Sequence, residues 1–250
     1  MFAASSQSSA DRLAFYQALH GAFDTTLRTH RGQPRLVEAL LSQAFDSFHG
    51  NLARCAQEPP LACHRGCATC CTLRVSATAP EVWLVARFLR QVLPALQARG
   101  IDLLAQVREA DARTAGLDEA QRVALRRACP FIAQGVCVIY GVRPLACRGH
   151  ASHDLRACRE AAAGLRDEVP YSQAHRDVRG VVQNAMQSAL REAGLAWASY
   201  EFNRALLMAL DDEAAEAAWF AGEDVLAPAA LAEVDAGEMA EVFDRLRPAG

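Results

Sequence analysis

The cysteines of this chain constrain its fold more than any other feature. A first set of four lies within nine residues: Cys63, Cys67, Cys70 and Cys71. A second, more widely spaced set follows: Cys129, Cys137, Cys147 and Cys158. Four thiols this close together, in a chain without secretory features, are better suited to binding metal than to forming disulfides. We therefore expect a metal centre to organise the middle of the chain.

The composition indicates an ordered, helical protein. Of the 250 residues, 52% are hydrophobic, with alanine prominent among them, and only 7% are aromatic, which favours Ala-rich helices over disorder. We expect one domain over residues 1–250, with a Cys-rich region at 60–160 and C-terminal helices at 171–250. Residues 1–13 lack the basic and apolar regions of a signal peptide, and no apolar run is long enough to span a bilayer. These observations predict a cytoplasmic protein without membrane contact.

All 26 basic residues are arginine, because the chain contains no lysine. This absence excludes P-loop nucleotide binding and Schiff-base chemistry, both of which need a lysine amine. Arginine is in excess in the central region, whereas the C-terminal third is acidic. The arginines are not interleaved with aromatics, so we expect no nucleic-acid partner. Instead, Arg74, Arg143 and Arg148 are placed to offset the negative charge of metal-bound thiolates.

Helical periodicity flanks the cysteine region on both sides. Before it, apolar spacing predicts helices over about residues 11–30 and 34–56, the second of which is ended by Pro59-Pro60. After it, helices are predicted over about 171–193 and 199–211, followed by two shorter acidic helices. We therefore expect a mainly α protein, a single helical domain with a central Cys-rich region.

Local signals also divide the central region. Thr78-Ala79-Pro80-Glu81 is typical of a capping box that opens a helix, and residues 101–128 have a weaker helical pattern. Gln134-Gly135 separates two short β-prone runs, which predicts a small β-hairpin that carries Cys137.

The spacing of the thiols narrows the choice of metal. Soft thiolates select zinc or iron–sulfur clusters over hard cations, and Cys67-x2-Cys70 has the gap of a metal knuckle. Adjacent side chains rarely reach one ion, so Cys70 and Cys71 favour a multinuclear cluster or two neighbouring centres. We predict an iron–sulfur cluster, of the four-iron type, with Zn²⁺ as the alternative. Cys55 lies outside both sets and is expected to pack in the core.

The ordered motifs of the region resemble a known family. They are Cys-x3-Cys-x2-Cys-Cys from Cys63, Cys129-Pro130-Phe131, Cys137-x-Ile139-Tyr140 and Arg143-Pro144-x2-Cys147-Arg148, followed by Cys158. This set, over roughly residues 60–160, is similar to the YkgJ-type cysteine-cluster family of zinc- or iron-chelating domains. The resemblance implies that the eight cysteines outside the first helices are the ligands. The cysteine set is also, more distantly, similar to that of flagellin lysine N-methylase, which is associated with an iron–sulfur cluster.

Three histidines lie among the cysteines: His64, His150 and His153. Each could be a nitrogen ligand or a proton-transfer group, but a solvated loop position or a hydrogen bond to a thiolate is the favoured interpretation. His20, His30, His49 and His175 are expected at the surface.

Three functions remain open from the sequence. A cluster with an accessible iron would serve redox or group-transfer chemistry, whereas an all-thiolate zinc site would make the protein a structural interaction module. An S-adenosylmethionine-dependent methyltransferase, similar to flagellin lysine N-methylase, is the third. No local motif identifies a catalytic residue, a substrate or a protein partner.

Overall fold

The fold is mainly helical, as predicted. The computed structural model describes residues 9–55 and 59–247. Within them the helices are α1 Ser9–Thr29, α2 Leu36–Leu52, α3 Ala79–Gln97, α4 Leu103–Thr114, α5 Glu119–Leu125, α6 Leu145–Gly149, α7 Leu155–Ala162, α8 Gln173–Glu192, α9 Phe202–Asp211, α10 Ala215–Phe220 and α11 Ala236–Leu246. The strands are β1 Ser76–Ala77, β2 Ile132–Ala133, β3 Val136–Cys137 and β4 Tyr200–Glu201.

Helix α8 forms the centre of the core. Its predicted apolar stripe is completely buried: Val178, Val182, Ala185, Met186 and Ala189. The helix packs against α1, α2 and α6, so the N-terminal helices and the short helix that carries Cys147 share one support. Burial of this stripe contributes the apolar stabilisation that a helix of this length needs to persist.

The two sheets are both antiparallel pairs. In the predicted hairpin, Ile132 pairs with Cys137 and Ala133 with Val136. Its two turn residues, Gln134 and Gly135, have φ values of 50° and 78°, which are typical of the type I′ turn that suits a two-residue hairpin. The other pair joins β1 to β4, with Ser76 opposite Glu201. Periodicity did not predict that pair, because two-residue strands leave no pattern.

Several helix boundaries differ from the prediction. Residues 101–128 form two helices rather than one continuous stretch, because Gly116 adopts φ +71° and Asp118 caps α5. Helix α2 ends at Leu52, and Ala56, its predicted end, lies outside the described residues. Residues 1–8, part of the N-terminal segment predicted to lack signal-peptide features, also lie outside them. The two acidic C-terminal helices are α10 and α11, separated near Gly222 and Pro228 as expected.

The predicted capping box opens α3. Oε2 of Glu81 accepts hydrogen bonds from the backbone N–H and the hydroxyl of Thr78, both at 2.8 Å. Glu81 is 1% exposed, and burial raises the pKa of its carboxyl, while the hydrogen bonds from Thr78 and Leu145 oppose that shift. The first turn of α3 is therefore fixed in the protein interior.

Two histidines expected at the surface are buried. His20 on α1 is 4% exposed and His175 on α8 is 8% exposed. His175 is held by a 2.9 Å hydrogen bond between its Nδ1 and the Ser172 hydroxyl. The prediction failed because a histidine on a helix face carries no sequence signal for which face is covered. Separately, none of the helices in the described part of the chain combines the length and apolar character needed to cross a bilayer.

Candidate metal centre

The eight predicted ligands come from five separate parts of the fold. The first four lie in the turn-rich loop before β1, while Cys129 follows α5. Cys137 lies on β3, Cys147 on α6 and Cys158 on α7. Each of these eight side chains is half-buried, so tertiary folding leaves them accessible to an ion while sheltering them from bulk water.

Backbone hydrogen bonds join these parts. The N–H of Cys129 donates to the carbonyl of Cys71 at 2.6 Å, and the N–H of Ala62 donates to the carbonyl of Ser152 at 2.9 Å. Ser152 also donates its N–H to the Cys63 sulfur at 3.3 Å. The two cysteine sets, distant in sequence, are thus held to one another by main-chain contacts.

A first group of four thiols consists of Cys63 and its three neighbours. Burial raises the pKa of the Cys63 thiol, and Cys70, Cys67 and Cys158 lie close enough that their charge raises it further. Three of these cysteines belong to the loop, and the fourth is provided by α7. Cys63 and these three neighbours together provide the number of sulfur donors that a tetrahedral thiolate site requires.

A second group contains the remaining downstream cysteines. The pKa of the Cys147 thiol is raised by burial and by the nearby Cys129 and Cys137. Burial also raises the pKa of Cys129 to about 11, with Cys137 and Cys70 adding to the shift. Cys70 is therefore common to both groups, and the second group has only three thiols of its own.

The adjacent Cys70 and Cys71 interact directly. A hydrogen bond from Cys70 to Cys71 and burial together raise the pKa of Cys70 to about 12, against an opposing effect of His150. Without a cation the Cys70 thiol retains its proton at neutral pH. No three His, Cys, Asp or Glu side chains of residues 9–55 and 59–247 have the geometry of a metal-binding group.

The cysteines surround a cavity of about 680 Å³. Seven of the eight line it, together with residues of α4, α5, α8 and α9; Cys158 does not. Small-molecule sites commonly have volumes of ~300–1,000 Å³. The donor set and the space beside it therefore suit a metal centre that is open to a ligand or substrate.

Two of the three arginines predicted to offset thiolate charge do so. Burial raises the pKa of Cys137 and Cys147, and the charge of Arg143 opposes both shifts. The Arg143 guanidinium lies 3.7 Å from the centre of the Tyr140 ring. Arg148 interacts with the charge of Cys147, and burial lowers its own pKa to about 10. Arg74 instead forms ion pairs with Glu119 and Glu233, so its charge is already balanced by carboxylates.

Cys55 is separate from this site, as predicted. It is 7% exposed, and its thiol donates a hydrogen bond to the carbonyl of Asn51 at 3.4 Å. It does not line the cavity.

The histidines differ sharply in their surroundings. His64 is exposed, with Nδ1 3.0 Å from the carbonyl of Arg65. His150 lines the cavity and interacts with Cys70. His153 has a buried Nδ1 without a hydrogen-bond partner among the described residues, but it does not line the cavity. His175 also lines the cavity. The sequence did not single it out, because its position at the cavity depends on the packing of α6 against α8.

Comparison with known proteins gives one match. Neither the curated proteins nor the solved structures contain a match to the chain, and the similarity to flagellin lysine N-methylase stays a prediction. One family model matches residues 62–168, which include all eight candidate ligands. The family is described as "CxxCxxCC: Putative zinc- or iron-chelating domain". The predicted resemblance to a cysteine-cluster family is confirmed over these residues.

Proposed function

We propose that the protein holds a thiolate-bound iron–sulfur centre, of the four-iron type, beside a substrate-sized cavity. The observation that carries this proposal is the proximity of Cys63 to Cys67, Cys70 and Cys158. The loop is held to the downstream segment by the hydrogen bond from the Ser152 N–H to the Cys63 sulfur, although α7 is far from the loop in sequence. The family description supports zinc or iron chelation in general. The adjacent Cys70 and Cys71 favour a multinuclear centre over a single ion.

The residues of this chain fit such a centre. Soft sulfur donors are the usual ligands of iron–sulfur clusters, and Cys129, Cys137 and Cys147 form the second group next to the first. Arg143 and Arg148 reduce the electrostatic cost of gathering negative sulfurs. When bound, a cluster supplies electron transfer or an open iron to which a substrate can bind.

Anaerobic purification followed by absorption spectroscopy and metal analysis tests the proposal. A brown protein that contains iron and labile sulfide, with broad visible absorption, supports it. A colourless protein with one or two zinc ions would replace it with the second candidate, a structural zinc-binding interaction module. Two observations favour that candidate: the Cys67-x2-Cys70 spacing is that of a zinc knuckle, and the family description names zinc as well as iron.

The cavity of about 680 Å³ favours a further catalytic candidate, an S-adenosylmethionine-dependent methyltransferase. Its volume is sufficient for a drug-sized ligand next to the thiols. Adding S-adenosylmethionine to the metal-loaded protein should then change the absorption spectrum. An unchanged spectrum and no measurable binding by calorimetry would eliminate this candidate without affecting metal binding.

A further inference from the structure

His150 lies beside Cys70, the thiol that is common to the two groups. It directly follows α6 and lies three residues after Cys147, so the chain contains a Cys-x2-His spacing like that of zinc sites. Its ring packs against Tyr171, with ring centres 4.5 Å apart and planes inclined at 56°. Tyr171 in turn is placed by an antiparallel bridge to Ser152, the residue that contacts Cys63. The imidazole is therefore oriented by the same framework that positions the first group of thiols.

The Nε2 atom of His150 is buried and has no hydrogen-bond partner among the described residues. Leaving a buried polar atom unpaired is destabilising, so such an atom calls for a partner. His150 also lines the cavity and is the histidine that interacts with Cys70. That interaction is a side-chain hydrogen bond that lowers the pKa of the Cys70 thiol, so the imidazole lies in direct contact with a candidate ligand.

The neighbouring histidines do not share this combination. His64 already contacts a backbone carbonyl and is exposed. His175 is paired with the Ser172 hydroxyl. His153 has an unpaired nitrogen but does not line the cavity. His150 alone among these four combines an unpaired ring nitrogen, a position at the cavity wall and an interaction with a candidate thiol ligand.

We propose that His150 is a nitrogen ligand of the metal centre to which Cys70 belongs; this inference rests on the proposed function. Neutral imidazole is a good ligand for both zinc and iron. It would add a donor at the junction of the two groups, where the second group has three thiols of its own. Because imidazole is neutral, it also lowers the negative charge of the site relative to an all-thiolate set. In iron–sulfur centres, histidine in place of cysteine raises the reduction potential.

The test is X-ray absorption spectroscopy on the full chain, at the absorption edge of the metal that the purified protein retains. For zinc, a nitrogen shell at about 2.0–2.1 Å is resolved from sulfur at about 2.3 Å. For a reduced iron–sulfur cluster, a directly bonded ¹⁴N coupling in pulsed EPR provides the same information. The variants are His150→Ala and the matched control His153→Ala, which removes a nearby histidine with its own unpaired buried nitrogen.

We expect nitrogen coordination in the wild type and in His153→Ala, and its loss in His150→Ala. A sulfur-only shell in the wild type would overturn the assignment while leaving the proposed metal function intact, and so would a nitrogen signal that persists in His150→Ala. If His150→Ala does not fold, His150→Phe takes its place, because it keeps an aromatic ring against Tyr171 and has no donor nitrogen; a nitrogen signal that persists in it overturns the assignment. A protein that retains no metal under any condition defeats the proposed function and this inference together.

Discussion

Oε1 of Glu81 accepts a hydrogen bond from the backbone N–H of Leu145 at 2.6 Å. The contact connects the first turn of α3 to the first residue of α6, the helix that carries Cys147. The other carboxyl oxygen of Glu81 caps α3 through Thr78. One buried side chain therefore caps the start of α3 and holds the start of α6, 64 residues further along the chain. Helix α6 in turn positions the candidate ligand Cys147.

Glu81→Gln should destabilise the protein by about 2 kcal/mol, because the amide nitrogen of glutamine must face one of two backbone donors and leaves it unpaired. Chemical denaturation measures the change. The matched control is Glu38→Gln, since Glu38 is a half-exposed partner of Arg87 and exposed ion pairs contribute only ~0.2–1 kcal/mol. Equal effects of the two substitutions would show that the bond from Leu145 contributes little.

Cys70→Ser should remove most of the bound metal, because Cys70 is common to both groups of thiols. Cys67→Ser should reduce metal content as well, and both proteins should become more sensitive to protease, as metal binding is coupled to folding. Cys55→Ser is the control and should retain its metal. Elemental analysis distinguishes these outcomes, and metal loss in Cys55→Ser with retention in Cys67→Ser would refute the ligand assignment.

Metal affinity should rise with pH. The pKa of Cys70 is raised to about 12 and that of Cys129 to about 11 in the protein without metal, so at neutral pH both thiols are protonated and must lose a proton to bind. Higher pH lowers that cost, and about two or more protons should be released per ion. Competition with a chelator between pH 6 and pH 8 measures the slope, and an affinity independent of pH would exclude these thiols as ligands.

Gly149→Ala should destabilise α6. A Cβ at this position would lie 2.5 Å from Cδ of Arg179 and 2.7 Å from its Cβ. Rotation of the Arg179 side chain cannot move its Cβ, so α6 and α8 would have to move apart. We expect a loss of about 1–2 kcal/mol, within the range for overpacking, together with weaker metal binding through Cys147. Gly180→Ala on α8 is the control, since its Cβ meets nothing within 4 Å. That substitution should be neutral or stabilise the helix by up to about 1 kcal/mol, and similar losses in both proteins would contradict the steric argument.

The folded protein should become less stable below about pH 6.5, the ordinary pKa of histidine. Burial and the nearby His153 and His49 lower the pKa of His175 in the folded state. The unfolded chain therefore binds more protons in this range, so the stabilisation is complete above that pH and is lost as the pH falls towards the lowered value. His175→Gln should reduce the change in the free energy of unfolding between pH 7.5 and pH 5.5, as measured by chemical denaturation at each pH. If the free energy of unfolding changes with pH as much as in the wild type, other groups cause the dependence.

The sequence by itself determined the features that depend on local pattern. The stripe on α8, the capping box at Thr78 and the turn at Gln134-Gly135 each follow from the periodicity or the conformational preferences of neighbouring residues. The cysteine spacing likewise predicted the domain type, because metal knuckles are short-range motifs.

Only the tertiary structure decided how these pieces combine. The grouping of Cys158 with Cys63, the burial of His20 and His175 and the bond between Glu81 and Leu145 join residues on different helices or loops. No sequence periodicity records which helix covers which face, since packing depends on the shape and volume of the whole core. For the same reason the proposal that His150 is a ligand depends on the tertiary structure, in which its Nε2 atom is buried without a hydrogen-bond partner among the described residues.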